Sequence, residues 1–310
     1  MGGTLLGRGQ ACGKLILLGE HFVVHGSPAL ALPLPVVSTE VTVTEMEVPG
    51  PRLRTDAPDA VERTALAVVQ AALERLGLPT RAPWSIEVRS TVPTGHGLGS
   101  SAAFAVALLR ALFAASGADL RLEQLNAHAH ALEGIVHGTP SGIDNTTISS
   151  ERPVWFEQGR PLSFLESPRD LPLVLAGSGQ PGSTAEAVAG VHQLKRADPR
   201  RFEGLCRSAR RLVSAGREAF VAGDLRTLGA RMTENHQLLR ELGVSTETLD
   251  RLADQAVGAG AFGAKLTGGG RGGFIVAAVA PDRVEGVNEA LRSAGASQLL
   301  HVGARGEEGS

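Results

Sequence analysis

Apolar and polar positions alternate with period two over Val36–Val48 (VVSTEVTVTEMEV) and again over Trp84–Val92, the pattern of strands with one buried face. Ala11–Leu18 is a nearly continuous apolar run between glycines and predicts a third strand. Asp59–Leu76 carries apolar residues at helical spacing, with Asp59 as the expected N-cap and Gly77 as the stop. A glycine-rich turn, Pro93–Gly99, leads into a helix over Ser101–Ala115, and another helix follows over Leu122–Val136. Beyond residue 165 the character changes. A strand over Pro172–Ala176 precedes four helical patterns, Thr184–Leu194, Asp198–Val221, Leu225–Leu242 and Thr246–Val257. Strands at Ala264–Thr267 and Phe274–Ala280 flank a glycine cluster, and a helix over Val284–Ala294 and a strand over Gln298–Val302 follow. No internal repeat is present, and only the tail after Gly303 is uniformly polar. This order predicts an α+β protein of two domains, residues 1–165 and 166–310.

Composition narrows the function classes. With 43% hydrophobic and 20% charged residues the chain can bury a sizeable core, which argues against disorder. Thirty Lys and Arg against 32 Asp and Glu leave a net charge of −2, so no global basic excess supports a nucleic-acid partner. Cys12 and Cys206 match no metal or redox spacing, and reduced intracellular thiols are the expectation. The longest apolar candidate, Ala102–Leu109, ends at Arg110, far short of the ~20 residues that span a bilayer. No basic region precedes an apolar one at the N-terminus, and Leu6 stands where a myristoylation site needs Ser or Thr. A cytoplasmic protein with no membrane partner is expected. Only three of the 30 basic residues are lysines, Lys14, Lys195 and Lys265, and two of them adjoin glycine-rich segments.

Those segments are Gly13-Lys14 through Gly19-Glu20-His21, Pro93–Ser101 (PTGHGLGSS) and Lys265–Gly273 (KLTGGGRGG). None is a Walker A loop or a dinucleotide-binding fingerprint, and no nucleophile elbow or zinc-protease helix occurs. The second still has the physics of an anion site. Its glycines let backbone N–H groups approach a ligand, and the helix behind it adds unsatisfied N–H groups and a positive dipole end. Ser100 and Ser101 can bond a phosphate oxygen or a hard cation, or one of them can simply cap that helix. Glu133 lies on a helix, and Asp144 follows a loop of turn formers, where an acid is as readily a turn-forming residue as a catalyst. His128 and His130 are two apart on a helix and make no metal pair. His21, His25 and His137 gain interest only from their neighbours.

In this order, the segments resemble the small-molecule kinase superfamily of galactokinase, homoserine kinase, mevalonate kinase and phosphomevalonate kinase. GKLILLGEHFVVHGSPALALPL (Gly13–Leu34), PTGHGLGSSAAFAVALLRAL (Pro93–Leu112), EGIVHGTPSGIDN (Glu133–Asn145) and KLTGGGRGGF (Lys265–Phe274) are most similar to the mevalonate kinase branch. The step from Glu133 to Asp144 through HGTPSGI is the most specific of these. The resemblance implies an N-terminal domain like ribosomal protein S5 domain 2 and a C-terminal ferredoxin-like domain. It implies ATP and Mg²⁺ as cofactors. It sets Lys14 and Asp144 at the reacting hydroxyl and Ser101 and Glu133 on Mg²⁺. Around the nucleotide it sets Gly95, His96, Gly97, Leu98, Gly99, Ser100, Ser101, Thr184, Gly268 and Gly269. Glu20 and His21 line the substrate side. His96 and Arg271 depart from the family pattern.

The expected reaction is transfer of the γ-phosphoryl group to the C5 hydroxyl of mevalonate, with Asp144 accepting the proton or orienting the alcohol. Phe22-Val23-Val24 and the absence of tyrosine suit a short branched acid better than a sugar, with His21 as a donor to its carboxylate or as a buttress for Glu20. A kinase of the same superfamily for another alcohol, such as phosphomevalonate or a sugar, a non-catalytic ligand-binding relative, and an enzyme that uses the loops for another anion are the alternatives. A homodimer is left open.

Overall fold

The structure is a computed structural model that describes residues 3–48, 50–56, 59–138, 140–166 and 171–303. The side chain of Asp59, the expected helix cap, lies outside the described residues, as do Thr139 and the tail after Gly303. The chain forms two compact units. The first comprises residues up to Lys14, Pro33–Pro93 and Gly99–Glu151, and the second Leu15–Leu32, Thr94–Leu98 and the chain from Arg152.

The first unit runs three strands, helix, strand, helix, and then two more helices. Its strands are β1 (Leu5–Leu18) and β2 (Ala29–Glu45), each of which also gives residues to the second unit, then β3 (Arg52–Thr55) and β4 (Trp84–Ser90). α1 (Asp59–Arg75) connects β3 to β4, which pair in parallel with Leu53 beside Ile86. β2 lies antiparallel on the other side of β4, with Val41 opposite Val88 and Val43 opposite Ile86. Val41, Val43 and Ile86 are fully buried, as period-two alternation requires of one sheet face. α2 (Ser100–Ser116) is apolar almost all round, and a helix without a polar face belongs inside. Val106, Leu108, Leu109 and Leu112 are buried, each contributing roughly 1.5–3 kcal/mol. α3 (Leu122–His137) and α4 (Ile143–Ser150) complete this unit.

In the second unit, β5 (Val154–Phe156) pairs antiparallel with Ala29–Ala31 at the start of β2, and β6 (Ser163–Phe164) pairs with β5. β7 (Leu173–Gly177) is followed by four helices, α5 (Thr184–Ala197), α6 (Pro199–Ala222), α7 (Leu225–Glu241) and α8 (Glu247–Gly258). Next come β8 (Gly263–Thr267), β9 (Phe274–Ala278), α9 (Val284–Ser293) and β10 (Leu299–Val302). These strands form one antiparallel sheet in the order β10-β7-β9-β8. In chain order that is 4-1-3-2, the strand order of a ferredoxin-like sheet, here with four helices in its first crossover. Both faces of β7, β8 and β9 are buried, so these strands read as continuous apolar runs. Among the described residues no helix is long and apolar enough to cross a membrane.

Candidate active site

In the first unit the chemistry gathers around a buried lysine. Lys14 on β1 is 2% exposed, and an ammonium there must be paired to keep its charge. Its Nζ lies 2.9 Å from Asp144 Oδ1, and the Asp144 side chain stays 30% exposed. Asp144 sits in the first turn of α4, not in the loop that the sequence pattern suggests. Gly142, in the left-handed conformation, starts that helix, and the helix dipole favours a carboxylate at this end. Glu133, near the end of α3, is buried beside the pair. Burial first, and then the charge of Asp144, push its carboxyl up to about 8, while Lys14 and the Asn145 backbone N–H act in the opposite sense. With its amide nitrogen turned toward the surrounding acceptors, the Asn145 side chain donates to Glu133 Oε2 at 2.9 Å and to Gly142 O at 3.1 Å. Two neighbouring acids thus have unlike environments, one open and ion-paired, the other buried and favouring its proton.

The start of α2 meets the same corner. Its N-cap is Gly99 in the left-handed conformation (φ 81°), which offers no side-chain oxygen to the first-turn N–H groups. Ser100 and Ser101 lie inside the helix, so neither acts as its cap. A Cβ on Gly99 would fall 2.9 Å from Lys14 Cγ, so both the backbone angle and the lysine stem require glycine. Ser101 Oγ is 2.9 Å from Nε2 of His137, the last residue of α3. This partner was not assigned from sequence, although His137 stands in the HGTPSGI segment. Among the described residues no group of three His, Cys, Asp or Glu side chains could hold a metal ion alone. His130 Nδ1 lies 3.3 Å from the Asn145 side-chain amide, and His128 packs near Phe113, in keeping with their assignment to different helix faces.

The second unit holds the other glycine loops. Gly97 and Gly268 touch backbone to backbone, since a Cβ on Gly268 would lie 2.7 Å from Gly97 Cα. The Gly182 N–H donates to Gly95 O at 2.8 Å, the Gly273 N–H donates to Gln180 O at 2.8 Å, and Thr184 packs on Gly269. Leu98 is fully buried. Both departures from the family pattern are built into this loop cluster. His96 Nδ1 pairs with Thr94 O at 2.8 Å and its ring meets Phe274 edge-on, while Arg271 adopts φ 57° and its N–H donates to Val244 O at 2.8 Å.

Glu20 is 1% exposed and forms an ion pair with the fully buried Lys265, whose Nζ also donates to Ile16 O at 3.4 Å and to Leu266 O. His21 has φ 59°, a conformation that side chains rarely adopt and that marks a constrained site. Burial pulls its ring down to about 4, only partly offset by Gly269 O, with Lys265 and His25 adding to the downward pull. The neutral ring has one N–H, and at Nε2 that proton faces Gly269 O at 3.0 Å. The apolar residues after it do not form an open wall, because Phe22 and Val23 are buried and only Val24 is exposed. Behind Lys265, the Leu266 N–H donates to His236 Nδ1 at 3.2 Å, and His236 Nε2 faces Asp250 Oδ1 at 3.1 Å.

Comparison with known proteins decides the family. The model of the GHMP kinases N terminal domain matches residues 63–151, and that of the GHMP kinases C terminal matches residues 217–297. The chain belongs to the GHMP kinase family. Among curated GHMP kinases, the mevalonate kinase of Pyrococcus horikoshii is 35% identical over 321 residues, covering 94% of this chain and 93% of that protein. The mevalonate kinase of Thermococcus gammatolerans is 33% identical over 324 residues, covering 94% of each. Among solved structures, that of L. major mevalonate kinase in complex with R-mevalonate is 31% identical, with a TM-score of 0.86 over 97% of this chain and 98% of that one.

Of the residues expected from sequence to act in this GHMP kinase, Lys14, Glu133 and Asp144 come together in the first unit, with Gly99 against the lysine. Gly95, Gly97, Thr184, Gly268, Gly269 and His21 come together in the second. Glu20 is drawn instead into the buried pair with Lys265.

Proposed function

We propose that the chain transfers the γ-phosphoryl group of ATP to the C5 hydroxyl of mevalonate, giving 5-phosphomevalonate and ADP. The observation that carries this reading is the Lys14–Asp144 pair, a buried ammonium against a carboxylate that remains partly open. Near-full-length similarity to mevalonate kinases supports the choice of substrate. Phosphoryl transfer is mostly positioning and charge stabilisation, so few protein groups suffice. Asp144 accepts the hydroxyl proton or holds the alcohol in line, and Lys14 stabilises negative charge on the attacking oxygen and the transferring group. The N-terminal N–H groups of α2, left uncapped by Gly99, suit phosphate oxygens.

Ser101 and Glu133 fit Mg²⁺, which prefers oxygen ligands and keeps several waters. A buried carboxyl raised to about 8 is the kind of group that a nearby dication returns to its ionised form. When bound, Mg²⁺ neutralises phosphate charge during the transfer. The glycine loops around Gly95–Gly97 and Gly268–Gly269 offer backbone to the nucleotide, and His21, with its Nε2 proton on Gly269 O, holds that loop.

The test is a panel of mevalonate, phosphomevalonate, galactose and homoserine with ATP and Mg²⁺, followed by phosphorus NMR of the product. The expected result is the highest kcat/KM with mevalonate and phosphate on C5. A better substrate elsewhere in the panel, or phosphate on the tertiary hydroxyl, would overturn the assignment.

A further inference from the structure

Two of the three lysines have been accounted for, Lys14 by Asp144 and Lys265 by Glu20. The third, Lys195, lies in the last turn of α5, on the rim of a separate cavity of about 450 Å³ within the second unit. Val24 and His25 form one wall, and Phe202, Cys206, Arg207 and Arg210 of α6 form another. Phe202 makes the apolar floor. The Lys195 ammonium sits 5.6 Å from its ring centroid, and the His25 ring meets it edge-on at 4.8 Å. The lining carries three permanent cations against one acid, Glu203, and that acid is already 2.8 Å from Arg207. Among the described residues Lys195 and Arg210 make no ion pair; Arg210 Nη2 donates to the Gly26 carbonyl at 3.1 Å. A local surplus of this kind stands out in a chain whose net charge is −2.

The titratable neighbours report the same field. The His25 ring is pulled down by burial, then by Lys195 and His192. Burial pushes the Cys206 thiol up, with Lys195 and Arg210 acting against it.

We infer that this cavity is a second anion site, for a small multiply charged phosphate held by Lys195 and Arg210 over Phe202. A guanidinium fork and an ammonium, both exposed and lining one cavity, can match several phosphoryl oxygens at once, which a singly charged carboxylate would not satisfy. The cavity also adjoins the segment that carries His21. Ser27 Oγ donates to Cys206 O at 3.2 Å, and Arg210 holds Gly26, so both bonds pin residues 22–27 to α6. That segment begins at His21, whose ring engages Gly269 O. A phosphate that draws Arg210 away from Gly26 relaxes this pin, and its effect is felt at the glycine loop. The coupling rests on the proposed kinase reading; the binding itself does not.

The experiment is calorimetric titration of the whole chain with inorganic pyrophosphate, at fixed free Mg²⁺ and with a non-hydrolysable ATP analogue saturating the phosphate loop. One saturable site per chain is expected, weakened about tenfold or more in Lys195→Ala and in Arg210→Ala and unchanged in Ser101→Ala. Lys195→Ala, which leaves the Arg210–Gly26 bond in place, should keep kcat near the wild-type value without pyrophosphate. Orthophosphate should bind more weakly, and acetate not measurably. No saturable binding, or binding that both alanine variants leave intact, would overturn the site. A pyrophosphate-dependent change in KM for mevalonate, absent in Lys195→Ala, is the expected kinetic sign. Binding without it would overturn the coupling. If mevalonate is no substrate at all, the kinase reading fails while the calorimetry still decides the anion site.

Discussion

Lys14–Asp144 and Lys265–Glu20 are the same chemical pair built into two regions of the chain, and they differ in what surrounds them. Both lysines are buried, but Asp144 remains 30% exposed whereas Glu20 is 1% exposed. Lys265 is also bonded to the carbonyls of Ile16 and Leu266, so its ammonium ties β1 to β8 inside the second unit. Lys14 instead points at a carboxylate with an open side, next to a helix start that has no capping side chain. Burial on both sides makes an ion pair a fastener; burial on one side leaves it free to act on a ligand. An inventory of charged residues alone would not separate the two.

The largest effect is expected from breaking the closed pair. Lys265→Met leaves Glu20 buried opposite an apolar chain and should lower stability by about 3–5 kcal/mol, read by urea denaturation. Adding Glu20→Leu should restore part of that loss, because the uncompensated charge is then gone. If Lys265→Met is as stable as wild type, the pair is no fastener. Lys14→Met should behave in the opposite way. Asp144 can be solvated once the ammonium is removed, so stability should hold within about 1 kcal/mol. Its kcat should fall by roughly 10²–10³, the range for losing one donor that stabilises transition-state charge.

His236 sharpens the comparison, because it supports the strand that carries Lys265. Burial pulls its ring down to about 4, with Asp250 opposing and Lys265 and Arg240 adding to the pull. A folded value below the ordinary 6.5 means that its stabilisation is present above pH 6.5 and is lost as pH falls toward 4. The loss should approach roughly 3 kcal/mol at the acid end. His236→Asn keeps an acceptor for the Leu266 N–H and should flatten this part of the stability profile. An unchanged profile would assign the acid sensitivity to other groups.

Glu133 gives the opposite sign. Its folded value of about 8 lies above the ordinary 4.5, so its contribution is favourable below pH 4.5 and is lost as pH rises through 8. Glu133→Gln should therefore stabilise the metal-free protein at pH 8, seen as a higher Tm. The same variant should need more Mg²⁺ for half-maximal rate, as an amide is a poorer ligand for a hard cation. A lower Tm together with an unchanged Mg²⁺ titration would leave Glu133 as a structural carboxylate.

How much of this was legible beforehand follows from the range of each interaction. Strands with one wet face, such as Val41–Val43 and Ile86, announce themselves by alternation, and the long helices α6 and α7 by their 3.6-residue period. β2 begins at Ala29 rather than Val36 because Pro33 and Pro35 interrupt the apparent strand signal. α4 (IDNTTISS) is short, polar and rich in β-branched residues, so its local preferences point to a loop, and its burial in the first unit overrides them. β3 (RLRT) is four residues long and exists only through pairing with β4. In the site, Lys14, Glu133 and Asp144 could be named because their spacing follows a family pattern. The pairing of Glu20 with Lys265 was not legible because the two lie 245 residues apart, and no local pattern reports a pairing at that distance. The constrained backbone of His21 and the His137 contact to Ser101 are likewise products of packing.

The central claim is that the open pair does the chemistry while the closed pair holds the fold. Asp144→Asn tests it most directly, with kcat for mevalonate phosphorylation and the urea midpoint measured on the same preparation. The account predicts a midpoint close to wild type and a kcat reduced by roughly 10²–10⁴. A variant that keeps more than about a third of wild-type turnover would contradict it, and so would one whose lost activity is matched by lost stability.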